Sequence, residues 1–196
     1  MRVQRSGADL TDPKADGWAQ AASESVALAP MPLEAQPTEY IRVKWADLPY
    51  GTVPEAEVAA AHDGTRLFVR IAWADADEPN VEFHDAAGAF FPAGGDAPAA
   101  TMGSAAEPVN LWYWQANLLG AKNLLSRGPG AFHPRAANGV SARSALDDGR
   151  WAVVLTGALA EASEAGKLGV AVWNGSNEER AGLGAASPSW INLEID

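Results

Sequence analysis

Cysteine is absent from this 196-residue chain. Its own side chains can therefore form no disulfide, no thiolate iron–sulfur ligation, no zinc–cysteine site and no covalent Cys-x-x-Cys-His attachment. Long apolar runs are missing too: nothing approaches the 18 or so residues that a membrane-spanning helix needs. Basic residues are scarce, 14 against 25 acidic, for a net charge of −11. That balance excludes a nucleic-acid footprint and argues against an anionic membrane surface. Histidine occurs three times, at His62, His84 and His133, in scattered positions. No Gly-x-Ser-x-Gly, His-Glu-x-x-His or phosphate loop is present, so the familiar catalytic signatures are absent. Residues Met1–Gly7 carry no apolar core of a secretory signal.

What is there is apolar enough to fold. Hydrophobic residues make up 47% of the chain, which excludes disorder throughout. The length suits a single domain, 1–196, with residues 1–38 as a partly extended N-terminal arm. In that arm, Ser25–Leu28 alternates as one docking strand. Tyr40–Trp45 also alternates with period two and reads as a strand. Val58–Ala61 and Leu67–Trp73, joined through Asp63-Gly64, read as a hairpin, with His62 an exposed turn residue. Residues 75–100 read as a long irregular loop, which in a compact domain is functional or mobile. Within it, Asp75-Ala76-Asp77-Glu78 lacks calcium-loop spacing and reads as solvated. Residues 109–116, Trp151–Leu155, Leu168–Trp173 and Trp190–Ile195 read as strands. Residues 118–126 read as a short helix or irregular chain, Leu159–Ala165 as a helix, and Asn174–Ser189 as a loop. The fold class is all-β, an antiparallel sandwich with long loops and a few short helices.

The most informative stretch is Thr101-Met102-Gly103, followed by Val109-Asn110-Leu111-Trp112-Tyr113-Trp114-Gln115. A methionine on a glycine-flanked turn can present its thioether to a metal. The aromatic run would form a flat apolar wall. The competing reading makes Met102 adaptable core filler and the aromatics an ordinary buried strand. Trp112 and Trp114 share one strand face and Tyr113 the other, so only one set can face a ligand. Phe90 and Phe91 are further wall candidates. Eight tryptophans exceed what one core obviously needs, which points to an interface with a larger partner.

These motifs, in this order, resemble the haem-binding gamma subunits of ethylbenzene dehydrogenase, dimethyl sulfide dehydrogenase, and selenate and chlorate reductases. Thr-Met-Gly, Pro108-Val109-Asn110 and Trp112-Tyr113-Trp114-Gln115-Ala116 carry the likeness. So do Val58–Gly64 leading into Leu67–Trp73, Gly88–Pro92, Asp148–Leu155 and Gly169–Arg180. The resemblance implies a non-covalent haem b with Met102 as an axial ligand, and a lysine as the second ligand just after the Asn177–Gly182 block. Gly184 stands at that place and has no donor atom. The second ligand then falls among His84, His133 and Lys122, or the position is open, or haem has been lost. The resemblance also implies a non-catalytic subunit in the periplasm, partnered by a molybdenum catalytic subunit, an iron–sulfur subunit and a soluble electron carrier. A haem-free structural or binding subunit on the same sandwich is the alternative, since fold does not settle function.

Overall fold

The computed structural model describes residues 1–196. Fifteen strands run in chain order: β1 Arg2–Arg5, β2 Ala22–Ala27, β3 Ala29–Pro30, β4 Glu55–His62, β5 Arg66–Ala74, β6 Ala86–Pro92, β7 Val109–Gln115, β8 Ala121–Ser126, β9 Phe132–Pro134, β10 Ser141–Asp147, β11 Arg150–Ala158, β12 Lys167–Trp173, β13 Ala185–Ala186, β14 Ile191–Asn192 and β15 Glu194–Ile195. Two short helices, α1 (Glu39–Lys44) and α2 (Leu159–Ala165), join them. No helix is long and apolar enough to cross a membrane.

The first sheet runs β10-β11-β5-β4-β1-β15, with β2 also on β4. The second runs β3-β13-β12-β6-β7-β8-β9, with β14 also on β12. Pairing is antiparallel except where β1 lies parallel to β4 and to β15. Alternation sorts each strand's side chains onto two faces. Val58, Leu67, Val69, Ile71 and Trp73 of the first sheet meet Ala89, Phe91, Trp112, Trp114 and Val170 of the second in the central core. The second sheet also buries its outer face. Phe90, Val109, Leu111, Leu124, Ala171 and Trp173 lie under Met31, Ala97, Ala99 and Met102. A third cluster covers the first sheet's outer face, where Leu10 and Trp18 pack on Ala59, Ala61, Phe68 and Val154. Three apolar layers thus flank two sheets.

Several local readings are corrected. Tyr40–Trp45 is not a strand: Thr38 caps a helix by accepting the Ile41 N–H at 3.3 Å, and capping outweighs the two-residue alternation. Residues 75–100 contain β6, a buried strand built largely of Ala and Gly that hydropathy alternation does not reveal. Residues 121–126 form β8, drawn into the sheet by pairing with β7. Ser141–Asp147, whose burial is slight, is an edge strand. His62 is buried, 2% exposed, because Arg5 of β1 pairs across it. Its Nδ1 accepts the Gly64 N–H at 3.1 Å. The N-terminal arm is woven into both sheets through β1, β2 and β3. All eight tryptophans are buried or half-buried. Three apolar layers take up seven of them and Trp45 packs on Tyr50, so their number alone does not mark an interface.

Candidate functional site

Met102 is fully buried in the outer cluster of the second sheet. Its backbone is left-handed, φ 52°, a conformation that costs a non-glycine residue on the order of 1–2 kcal/mol. A tight turn imposes it: Met102 N–H donates to Ala99 O at 2.8 Å and Gly103 N–H to Pro98 O at 2.8 Å. From β8 the buried Ser126 hydroxyl donates to Met102 O at 2.7 Å. Gly103 has φ 88°, and a Cβ there would press on the backbone of Glu107, Val109 and Ser126 at 3.0–3.1 Å. The turn and the sheet edge together hold this methionine over the sheet.

The face beneath it follows from register, since cross-strand partners share a face. Tyr113 lies opposite Gly88 and Lys122, and Gly88 opposite Ala171. Leu111 lies opposite Phe90 and Leu124. Trp173 lies opposite Ala86. Aromatic rings dominate: Tyr113 and Phe132 stand edge-on to Trp173 at 5.5 and 6.2 Å, and Trp190 stands edge-on to Phe90 at 5.4 Å. Burial pushes the Tyr113 phenol up to about 12, so it stays neutral at physiological pH.

A second segment comes over the same face. Trp173 Nε1–H donates to Ala181 O at 3.0 Å, and Ala181 is itself left-handed, φ 53°. Gly182 approaches Gly130 in the β8–β9 turn, whose Gly128 lies beside Gly103 O. The buried Gln36 amide donates to Gly182 O at 2.6 Å, while its Oε1 has no partner. Buried Glu179 anchors the segment. It accepts the Thr52 N–H and hydroxyl at 2.9 and 3.0 Å, the Asn174 N–H at 3.0 Å and the Asn177 amide at 3.1 Å. Between Gln36, Pro37, Ile41, Gly130, Gly182 and Leu183 opens a cleft of about 180 Å³.

The predicted residues divide. Phe90 and Tyr113 share the Met102 face. Phe91, Trp112 and Trp114 do not: they point into the central core, where Phe91 meets Trp112 at 4.8 Å and Trp114 meets Trp151 at 5.0 Å. Strand alternation puts them on the face away from Met102, so of the two sets on β7 it is Tyr113 that lies beside it. His133 is exposed and pairs with Leu125, whereas its neighbour Phe132 packs on the Met102 cluster; alternation turns the imidazole away from it. His84 is half-buried, with its backbone against Gly175. Lys122 shares Tyr113's face but is exposed. At Gly184, a Cβ would stand 2.5 Å from the Trp173 ring, so the indole fills the room a side chain there would need.

Residues 15–139 match the sequence model of the ethylbenzene dehydrogenase family. The chain belongs to that family. A chlorate reductase subunit gamma of Ideonella dechloratans is 32% identical over 207 residues, covering 97% of this chain and 82% of the relative. A protein assigned as a respiratory nitrate reductase haem subunit of Haloferax mediterranei is 33% identical over 192 residues, covering 82% and 69%. A dimethylsulfide dehydrogenase subunit gamma of Rhodovulum sulfidophilum is 28% identical over 153 residues, covering 68% and 58%. The family match spans the Met102 turn and β7 but ends before Glu179 and Gly184.

The reading of residue types missed Met31, Gln36, Trp173 and Glu179. Met31 carried one signal, its place between Pro30 and Pro32. The others are brought together only by the fold.

Proposed function

We propose that this chain is a haem b electron-transfer subunit of a molybdenum-containing oxidoreductase complex. In this reading it passes electrons between an iron–sulfur subunit and an external carrier, and catalyses nothing itself. The observation that carries the reading is Met102: a fully buried thioether held in a strained turn above an aromatic sheet face. Strain retained at one residue is a pointer to function when the surroundings over-determine it. The donor chemistry fits haem, because a thioether is a recognised axial ligand of iron and favours a higher reduction potential. The aromatic face fits a flat apolar disc. When bound, haem supplies a one-electron iron couple.

The chain's own residues do the rest. Phe90, Leu111, Tyr113 and Leu124 keep water from the face. Ser126 and Gly103 keep Met102 in place. The cleft at Gln36 and Gly182 is smaller than the roughly 300–1,000 Å³ of ordinary ligand sites, so entry requires Gln36 and the Ala181–Gly184 segment to move outward. A larger groove of about 710 Å³ lies elsewhere, lined by Asn110, Arg135, Glu161 and Glu164 among others; its polar walls suit a porphyrin face poorly. Periplasmic residence and partnership with molybdenum and iron–sulfur subunits belong to the same reading, supported by the family resemblance and by relatives named as gamma subunits of reductases and dehydrogenases.

Gly184 beneath Trp173 favours a second reading, a haem-free scaffold on the same fold. Expression in haem-replete cells and an absorption spectrum separate the two. The haem reading expects a Soret band that sharpens on dithionite reduction in the wild type, and a switch to high spin or loss of haem in Met102→Ala. A protein that purifies folded but colourless supports the scaffold.

A further inference from the structure

We propose that Met31 supplies the second thioether ligand to the haem iron, in place of the lysine that the family resemblance implies at Gly184. The inference rests on the haem reading above. Three observations carry it. Met31 is fully buried in the same outer cluster as Met102. Its position answers the missing lysine directly. β3 pairs with β13 so that Pro30 faces Ala185; one step on, Met31 N–H donates to Gly184 O at 3.0 Å. Cross-strand partners share a face, and Gly184 faces Trp173 on the outer side. Met31 therefore stands on the lysine's side of the sheet, one strand over.

The third observation is how firmly that residue is held. Tyr50 Oη–H donates to Met31 O at 2.7 Å. Gly51, φ 62°, packs its Cα side against Pro30 and Gly184 O, leaving no room for a Cβ. A solvent-shielded methionine with this much backbone support is pre-organised, which lowers the cost of ligation.

The alternatives fit less well. Lys122 is exposed and must lose a proton before it can ligate. His133 points to the other side of the sheet. A thioether needs no deprotonation and already lies in the apolar cluster. Paired thioethers would also hold the potential higher than a methionine–lysine pair, because the axial ligands are a principal lever on it.

Optical spectroscopy and redox titration of the haem-loaded protein and its variants test this. Met31→Leu conserves volume, so its expected cost in stability is small. The wild type should be low spin. Met31→Leu should turn high spin and bind carbon monoxide in the ferrous form. Met31→His should return to low spin with a lowered midpoint potential, a signature that a merely structural residue would not produce and that decides the matter even if Met31→Leu fails to fold. Lys122→Ala should match the wild type in spectrum and potential. Low-spin spectra with unchanged potential in both Met31 variants would overturn the assignment while leaving haem binding intact. A high-spin Lys122→Ala would overturn it in favour of lysine. A wild type that takes up no haem would overturn both this inference and the reading beneath it.

Discussion

Met102 combines a backbone strain with a packing role, and the two separate by substitution. Replacing it with alanine keeps the left-handed strain and empties the site, which costs about 2–5 kcal/mol for a buried methionine. Glycine leaves nearly the same cavity but adopts φ 52° freely. In the haem-free protein Met102→Gly should therefore unfold at higher urea than Met102→Ala. The reverse order would show that the turn does not hold this residue left-handed.

Asp75 offers a second test at this scale. Its pKa is raised to about 6, first by burial and then by the Asp85 carboxyl facing it. Asp85 is held there by the Gly175 N–H at 2.8 Å and Trp151 Nε1–H at 3.2 Å. A carboxyl raised on folding binds its proton more tightly in the native state, so stability falls as pH rises from about 4 to about 6. Asp75→Asn removes that loss. It should stabilise the protein at pH 7.5 by about 1 kcal/mol, the ~3 kcal/mol of two pKa units being cut by solvent screening of a half-exposed group. At pH 4 it should change little. Equal effects at both pH values would show that the carboxyl pair does not share this charge.

At the scale of elements, one packing bears on the site and a second on the central core. The segment from Asn174 to Gly184 is organised around one buried carboxylate. Glu179→Ala leaves the part-buried Thr52 and Asn174 N–H groups without their partner, at about 1 kcal/mol for each, the low end of the cost of an unsatisfied buried group. Thermal unfolding should drop by several degrees, and proteolysis should begin within this segment. An unchanged melting temperature would show that Glu179 does not anchor it. Across the sandwich, Trp112 lies so close to Gly157 of β11 that an added Cβ would overlap its ring, and its Nε1–H donates to Glu161 of α2 at 3.0 Å. Gly157→Ala should destabilise by about 1–3 kcal/mol, as overpacking does.

Strands and helices differ in how far the sequence makes them legible. β5 and β12 are readable because each is a short apolar run rich in β-branched and aromatic residues, the mark of a strand buried on both faces. So is the Asp63-Gly64 hairpin, where Asp63 Oδ1 takes the Thr65 and Arg66 N–H groups. β6 is not readable, since Ala and Gly carry no alternation. Nor is α1, whose pattern is strand-like and whose cap decides it. At the site, Met102, Phe90 and Tyr113 stand in a legible motif. Which face of β7 belongs with Met102 is settled only by the second buried layer, and Met31 meets Gly184 only because β3 and β13, distant in sequence, become neighbours.

For the whole molecule, the sandwich clusters take up seven of the eight tryptophans, while Trp45 lines the cleft and stands edge-on to Tyr50 at 6.1 Å. The exposed apolar side chains near the cleft are Tyr40, Val43 and Leu48. Purified from its source in mild salt, the chain should accompany a larger redox partner; recovery only as a monomer would contradict that. Titrating the purified chain with haemin, while recording tryptophan fluorescence and the Soret band, shows whether the face under Met102 receives haem. A saturable end point at one haem per chain is expected, with quenching as the face beside Trp173 and Trp190 is filled. A linear, unsaturating rise with no quenching beyond that of free haemin would contradict it.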